Sequence, residues 1–591
     1  MQEAHERDCE REVDPRDVAA ARQAVPDLLQ PHGLEWSDVT DTGGVVLESA
    51  GVSNTFARLV WPDDNGGDDR DEMDFFQLLY PETHLPQTLQ LTNAKLRHAR
   101  HADMTRQEFF VFIALMIGLA LNPKSTIEEC FNGEQRFELL PAPRFRRIMT
   151  YARFTALCVH LTFANVPQRG QAYWEVQPLL DAFNAKRRRV LHVGRWVCVD
   201  ESFSPWDGLE ATVNARGCPH IVKMKGKPKG IGMMIKNSCC GECGIMYRIE
   251  LAGPAQEMRT RQYDREFGAG TSYLLRLTEG LHASGRIVVA DSAFASVKSA
   301  VQLRRRGLFF IGHVKTAHSK CPKKYLQEHE YETRGDHRVL TAKDGNVALR
   351  AIGWNEGKRK QGRIVPKVYV GSCGTSMAGE PHMKKRYRNY DNDQGGRTSQ
   401  TYYVPVPRPD MLATYHKACG KIDDHNQLGQ GELFLEGRRT TRWQFRFFQT
   451  FIRFCIVDAF LAYRKFTPGM FVKTAYTCTV AKWCWLRWRC AQSLVFHIEP
   501  AAAVCLVVEQ GTKTHRSATL QCSYLSTYST TLLARRSMLP HSARTPAQMF
   551  AMEGRGVRQH RPSTLWRRCR ARRTSAPNAC GLGRKRHRSA G

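Results

Sequence analysis

Two short apolar runs, each ending in a carboxylate, constrain this chain more than any other feature. Arg195-Trp196-Val197-Cys198-Val199-Asp200-Glu201 sets a basic residue before an uninterrupted apolar stretch and closes it with two acids; Arg286-Ile287-Val288-Val289-Ala290-Asp291 repeats that order. Apolar runs without alternation suit strands covered on both faces, as in the parallel part of an α/β sheet. Ligands and catalytic groups in such sheets gather where strands end. Lying side by side, the two strands bring Asp200 and Asp291 to one edge, where the carboxylates repel unless a proton or a cation intervenes. A divalent metal is the direct answer. The alternative is that each aspartate caps the turn that follows it.

Charge narrows the partner. The net charge of +30 is unevenly spread: residues 1–75 hold 19 acidic and 6 basic residues, a local charge of −13, so the rest carries +43. A basic body behind an acidic head suits a protein that binds a polyanion, and a soluble cationic surface is the plainer reading. Met1 to Arg22 lacks the apolar core of a signal peptide, and no uncharged apolar run reaches the ~18 residues of a membrane span. A soluble, intracellular protein without membrane contact is expected. The 19 cysteines are scattered, with Cys239, Cys240 and Cys243 the one close set. Reduced, mostly buried thiols are therefore expected, and zinc is not.

Seven segments follow from composition and periodicity. Residues 1–74 are acidic and read as disordered. Residues 75–193 read as helical: Thr105 and Glu108 form a capping-box pair, one helix is expected over Pro143–Phe163, and another over Glu175–Lys186 runs into Lys186-Arg187-Arg188-Arg189. That basic run suits DNA contact, a nuclear-import signal or a helix end favoured by its dipole. Residues 194–314 alternate strands and helices as an α/β core, and the loop holding Lys223, Lys225, Lys227 and Lys229 suits phosphate. Residues 315–404 read as a basic, β-rich insertion or small subdomain. Residues 405–430 return to the core, with one helix expected from Asp410 towards Gln430. Residues 431–470 are helical again, and 471–591 form a basic tail expected to be disordered. Within that tail, residues 535–591 hold 15 basic residues against one acid.

The Asp410–Gln430 segment supplies a third carboxylate. On a helix Asp423, Asn426 and Gln427 share a face, while Asp424 turns away. Two strand-end aspartates joined by a helical aspartate after a long insertion is the arrangement of RNase H-like nucleotidyltransferases, which hold two Mg²⁺ ions.

Three blocks resemble the piggyBac transposase family: Val199-Asp200-Glu201 with the Lys/Gly/Pro loop and Gly230-Ile231-Gly232; Asp291-Ser292-Ala293-Phe294-Ala295-Ser296; and Tyr415 to Gln427 with Arg442-Trp443 downstream. The resemblance covers about Phe75 to Phe466. It implies an RNase H-like core with a β-rich insertion, flanked by a split helical dimerisation and DNA-binding domain. It further implies a catalytic, metal-binding set of Asp200, Asp291 and Asp423, with Mg²⁺ or substituting Mn²⁺, in a homodimer that cleaves and joins double-stranded DNA at transposon ends and TTAA targets in the nucleus. Glu201 and Asn426 would stand just behind the ligands. Arg442 and Trp443 would touch DNA near the ends, although within Phe445, Phe447, Phe448 and Phe451 core packing is an equal reading. Asn426 stands where the family has a further acid, and the cysteines after Phe466 lack the paired spacing of the family's zinc-binding finger. Both departures suit a second reading, an inactive descendant that still binds DNA.

Overall fold

The computed structural model describes residues 29–39, 52–62 and 70–467, except 124, 133–142, 169, 225–229, 316–318, 361–362, 375–378, 392–396 and 432. The basic tail expected at 471–591 lies outside the described residues. Part of the acidic head is structured. It supplies β1 (Trp36–Asp38) and β2 (Arg58–Leu59), and Trp36 is only 2% exposed. Burial of that indole, with its N–H donated to the Lys320 carbonyl at 2.8 Å, overrides the local acidic composition that suggested disorder throughout residues 1–74.

Among the described residues six α-helices precede the core: α1 (Glu72–Leu79), α2 (Leu85–His98), α3 (Arg106–Leu121), α4 (Ile127–Asn132), α5 (Tyr151–His160) and α6 (Gln177–Val190). Asp71 caps α1 with a full capping box. Thr105 caps α3 by accepting from the Glu108 amide, but the Glu108 carboxylate turns to Arg153, with both N–O distances 2.7 Å, so the expected box is half formed. The helix expected over Pro143–Phe163 is shorter. A single 3₁₀ turn at Phe145–Arg147 precedes it, and Thr150 starts α5 by accepting from the Arg153 amide.

After β3 (Leu191–His192), which pairs with β2, comes the central sheet. Its members are β4 (Trp196–Pro205), β5 (Val222–Lys223), β6 (Ile231–Cys240), β7 (Met246–Leu251), β8 (Ile287–Ala290), β9 (Phe309–Val314), β10 (His337–Asp344), β11 (Val347–Trp354) and, beyond a small hairpin of β12 (Arg359–Lys360) and β13 (Arg363–Ile364), β14 (Lys367–Gly371). The order is β1-β10-β11-β14-β9-β8-β4-β6-β5, with β7 also on β6. β4, β8 and β9 run parallel; the other described neighbours are antiparallel. β8 is buried on both faces, as its unbroken apolar run requires: Val288 and Ala290 join the core under α7 (Ala269–Leu277) and α8 (Val297–Arg305), and Ile287 and Val289 join a second core under the following helix.

Strands of residues 315–404 join the central sheet. β14 covers the edge of β9, and β11 and β10 extend the sheet from there, burying Leu349, Ile352 and Val370. The β12–β13 pair and the longer pair of β15 (His382–Asp391) and β16 (Arg397–Val406) stand apart as hairpins. The chain then forms α9 (Asp410–Ala418), α10 (Lys421–Gln430) and α11 (Trp443–Phe466). Among the described residues no helix is long and apolar enough to cross a membrane.

α11 closes the structure. Its Phe445, Phe448 and Phe451 meet Phe112, Phe109 and Phe183 of the early helices, with ring centroids 5.7–6.1 Å apart. Its Asp458 is fully buried, accepting from Arg187 of α6 at 2.7 Å, the Met246 amide at 2.8 Å and His425 of α10 at 3.1 Å. Arg187 is thus a core residue, and only its neighbours Arg188 and Arg189 are exposed on the basic run that suggested DNA contact. Removing one member of a buried ion pair leaves the other charge without compensation. Arg187→Met is expected to lower unfolding free energy by about 3–5 kcal/mol in urea titration, whereas Arg188→Met changes it little.

Candidate active site

The parallel register of β4 and β8 aligns Val199 with Ala290, so Asp200 and Asp291 follow at adjacent positions along the same edge. The third aspartate arrives on a helix broken in two. The helix expected as one from Asp410 towards Gln430 stops after Ala418 and restarts at Lys421, with Gly420 at the junction. This break lets the Cys419 carbonyl accept from Cys198 Sγ at 3.6 Å and puts Asp423 in the first turn of α10. His425 then fastens α10 to Asp458.

The charge of Asp423 is felt at Asp200. Burial first, then the neighbouring Glu201 carboxyl, push the Asp200 carboxyl up to about 8, and the charge of Asp423 adds to the rise; the Glu201 amide, donating to Oδ1 at 2.8 Å, opposes it. Asp291 goes the other way. Burial raises its carboxyl, but a hydrogen bond from His313, the Ser292 amide and the charge of Lys315 outweigh burial and hold it below the ordinary carboxylate range. The Lys315 ammonium lies 3.3 Å from it and His313 Nδ1 lies 3.5 Å away. His313 and Lys315 were not singled out in the sequence. The β8–β9 register, pairing Ala290 with Gly312, delivers them.

Glu201 stands beside Asp200 and also faces Lys236 at 3.7 Å. Asn426 is turned inward. Its Nδ2 reaches the Glu201 carbonyl only at 3.5 Å, and its buried Oδ1 has no hydrogen-bond partner. Asp423, Asp424 and Gln427 are exposed, so the face expected to join Asp423, Asn426 and Gln427 is split between solvent and strand.

The donor set fits a divalent cation at one half and is already compensated at the other. Asp200, raised by burial and by the Glu201 carboxyl, is short of positive charge, and the unmatched Asn426 oxygen lies on the helix that carries Asp423; Asp291 is already paired with Lys315. Among the described residues no three His, Cys, Asp or Glu side chains are close enough to hold a metal together.

The predicted DNA contacts fare differently. Lys223 is exposed on β5, while Lys225, Lys227 and Lys229 lie outside the described residues. Arg442 donates to the Cys158 and Leu161 carbonyls, both at 2.8 Å, finishing the C-terminus of α5. Trp443 is 1% exposed and meets Tyr173 edge-on at 5.6 Å. Core packing, the other reading of this pair, is what the structure gives them, because a stacked base needs an accessible ring. A cationic cavity of about 500 Å³ was not foreseen. Arg195, Trp196, Glu242, Lys417, Lys421 and Lys465 line it, drawn from segments that no local pattern connects.

Comparison with known proteins fits this geometry. Residues 71–460 match the family described as transposase IS4, and the chain belongs to that family of transposases. Among solved structures the fold is similar to that of the piggyBac transposase synaptic complex with hairpin DNA, seen by cryo-EM, with a TM-score of 0.54 and 17% identity over 74% of this chain and 83% of that one. No curated protein matches.

The raised Asp200 value fixes a pH dependence. Between the ordinary value of 3.8 and about 8, folded Asp200 holds a proton that the unfolded chain has released. Stability of the metal-free protein therefore falls as pH rises through that window. Asp200→Asn is expected to flatten the fall and raise the thermal midpoint near pH 8 by about 1 °C, the shift that about 1 kcal/mol gives in a body of roughly 400 residues. Scanning calorimetry across pH in a chelator checks it.

Proposed function

We propose that this protein is a piggyBac-like DNA transposase that cleaves and joins double-stranded DNA at its element's ends and at TTAA targets, as a homodimer in the nucleus. The observation that supports this reading is the parallel β4–β8 register, which sets Asp200 and Asp291 at adjacent strand ends, with the charge of Asp423 felt at Asp200. Mg²⁺, or Mn²⁺ in its place, held by Asp200, Asp291 and Asp423, would activate an attacking oxygen and stabilise the leaving 3′-oxygen. The chain's own residues set the conditions. Burial of Asp200 keeps that carboxylate where charge interactions are strong, and His425, tied to Asp458, holds the helix that carries Asp423. Lys315 occupies Asp291 at rest and is placed to exchange that contact for the negative charge of a DNA phosphate.

A second reading, a catalytically inactive transposase derivative that binds DNA, is favoured by Asn426, a neutral residue with an unmatched buried oxygen behind the site. One experiment separates the two. Purified protein is incubated with Mg²⁺ and DNA bearing its element's ends, beside Asp200→Ala and Asp423→Ala. The transposase reading expects 3′-hydroxyl ends from the wild type and a loss of at least about 10³-fold in both variants, the scale expected when groups acting as one unit lose a member. Binding without cleavage by the wild type would establish the inactive derivative instead.

A further inference from the structure

β15 and β16 pair with each other over ten residues, from His382 opposite Val406 to Asp391 opposite Arg397, and with no other described strand. A pair of this length, at ~3.3 Å per residue, is a ribbon about 30 Å long. Its base is fastened: Lys384 lies 3.5 Å from Glu356, and the His382 ring sits 6.2 Å from Trp354. Beyond the base it departs from what a solvated hairpin needs. Residues 382–388 and 399–406 contain Lys384, Lys385, Arg386 and Arg388 and not one acid. Large side chains stand in solvent: Met383 is 53% exposed, Tyr387 65%, Tyr402 44% and Tyr403 57%. The register sets Lys385 opposite Tyr403 and Arg386 opposite Tyr402, so each face of the ribbon presents a cation beside a tyrosine.

Two occupants could cover such a surface. A second copy of the chain would add a strand to the open edge, but a run of adjacent cations repels a like edge and is a device that blocks such pairing. Duplex DNA fits charge and size together. Its major groove, about 12 Å wide, admits a two-stranded ribbon, and one helical turn of about 34 Å matches the ribbon's length. We propose that the β15–β16 ribbon lies in the major groove of duplex DNA, with Lys385, Arg386 and Arg388 on phosphates and the exposed tyrosines against sugar and base edges. This rests on the transposase reading above and assigns it a DNA surface outside the catalytic edge.

The test is the salt dependence of duplex binding by the full chain and by a K385Q/R386Q/R388Q variant, on a probe of three helical turns. Each phosphate contact contributes about 0.9 to the slope of log affinity against log salt, so the variant's slope is expected to be shallower by about 2–3. A K385R/R386K/R388K variant, which keeps the charge, is expected to keep the wild-type slope. Thermal midpoints for all three proteins should agree, since these side chains lie outside the core. A wild-type slope in the glutamine variant overturns the proposal, and a change of oligomeric mass without a change of slope overturns it in favour of contact between copies. Absence of salt-dependent duplex binding by the wild type would overturn the transposase reading as well. Wild-type binding with an unaltered variant overturns the ribbon alone.

Discussion

One carboxylate joins the parts of this protein on which the candidate site depends. Asp458, in the middle of α11, accepts hydrogen bonds from the last turn of α6, the first amide of β7 and His425 of α10. Burying an ion costs several kcal/mol unless its lone pairs are satisfied, and here three donors from three elements satisfy them. Burial lowers the His425 affinity for a proton, so the ring serves as a neutral donor. Because His425 lies two residues beyond Asp423, the contact that closes the helical body onto the sheet also places the third aspartate. A second buried pair in the same helix, Arg453 with Glu436 at 2.8 Å, secures the turn between α10 and α11.

The site so placed is under electrostatic tension. Asp200 is pushed towards its neutral form, while Asp291, at the adjacent position on β8, is held charged by Lys315 and His313. Two neighbouring carboxylates with opposite displacements mark a place where positive charge is present on one side and missing on the other. Lys315 is more than half exposed and can leave without breaking the core. The arrangement therefore pairs Asp291 with an exposed lysine and leaves Asp200 without a compensating charge.

Much of this was legible in the sequence because it follows from short-range pattern. The unbroken apolar runs before Asp200 and Asp291 could be little else than strands buried on both faces, and the parallel β4–β8 register brings their ends together. The helix bearing Asp423 was also legible, apart from its break at Gly420, the residue least able to sustain a helix. What escaped depends on long-range register. His313 and Lys315 reach Asp291 only through the pairing of β8 with β9, and the sheet's growth through β14, β11 and β10 to Trp36 depends on which edges remain open. Arg442 and Trp443, expected at DNA, are packed against helices for a related reason: charge and aromaticity are the same letters whether they finish a helix in the core or meet a base outside it.

The central claim is that Asp200, Asp291 and Asp423 hold a cation together once Lys315 withdraws. A structure of the protein with Mn²⁺ and DNA, with anomalous scattering collected at the manganese edge, tests it most directly. The account predicts an anomalous peak among the three carboxylates and the Lys315 ammonium moved away from Asp291. Asp291 still paired with Lys315 and no manganese beside Asp200 would contradict it.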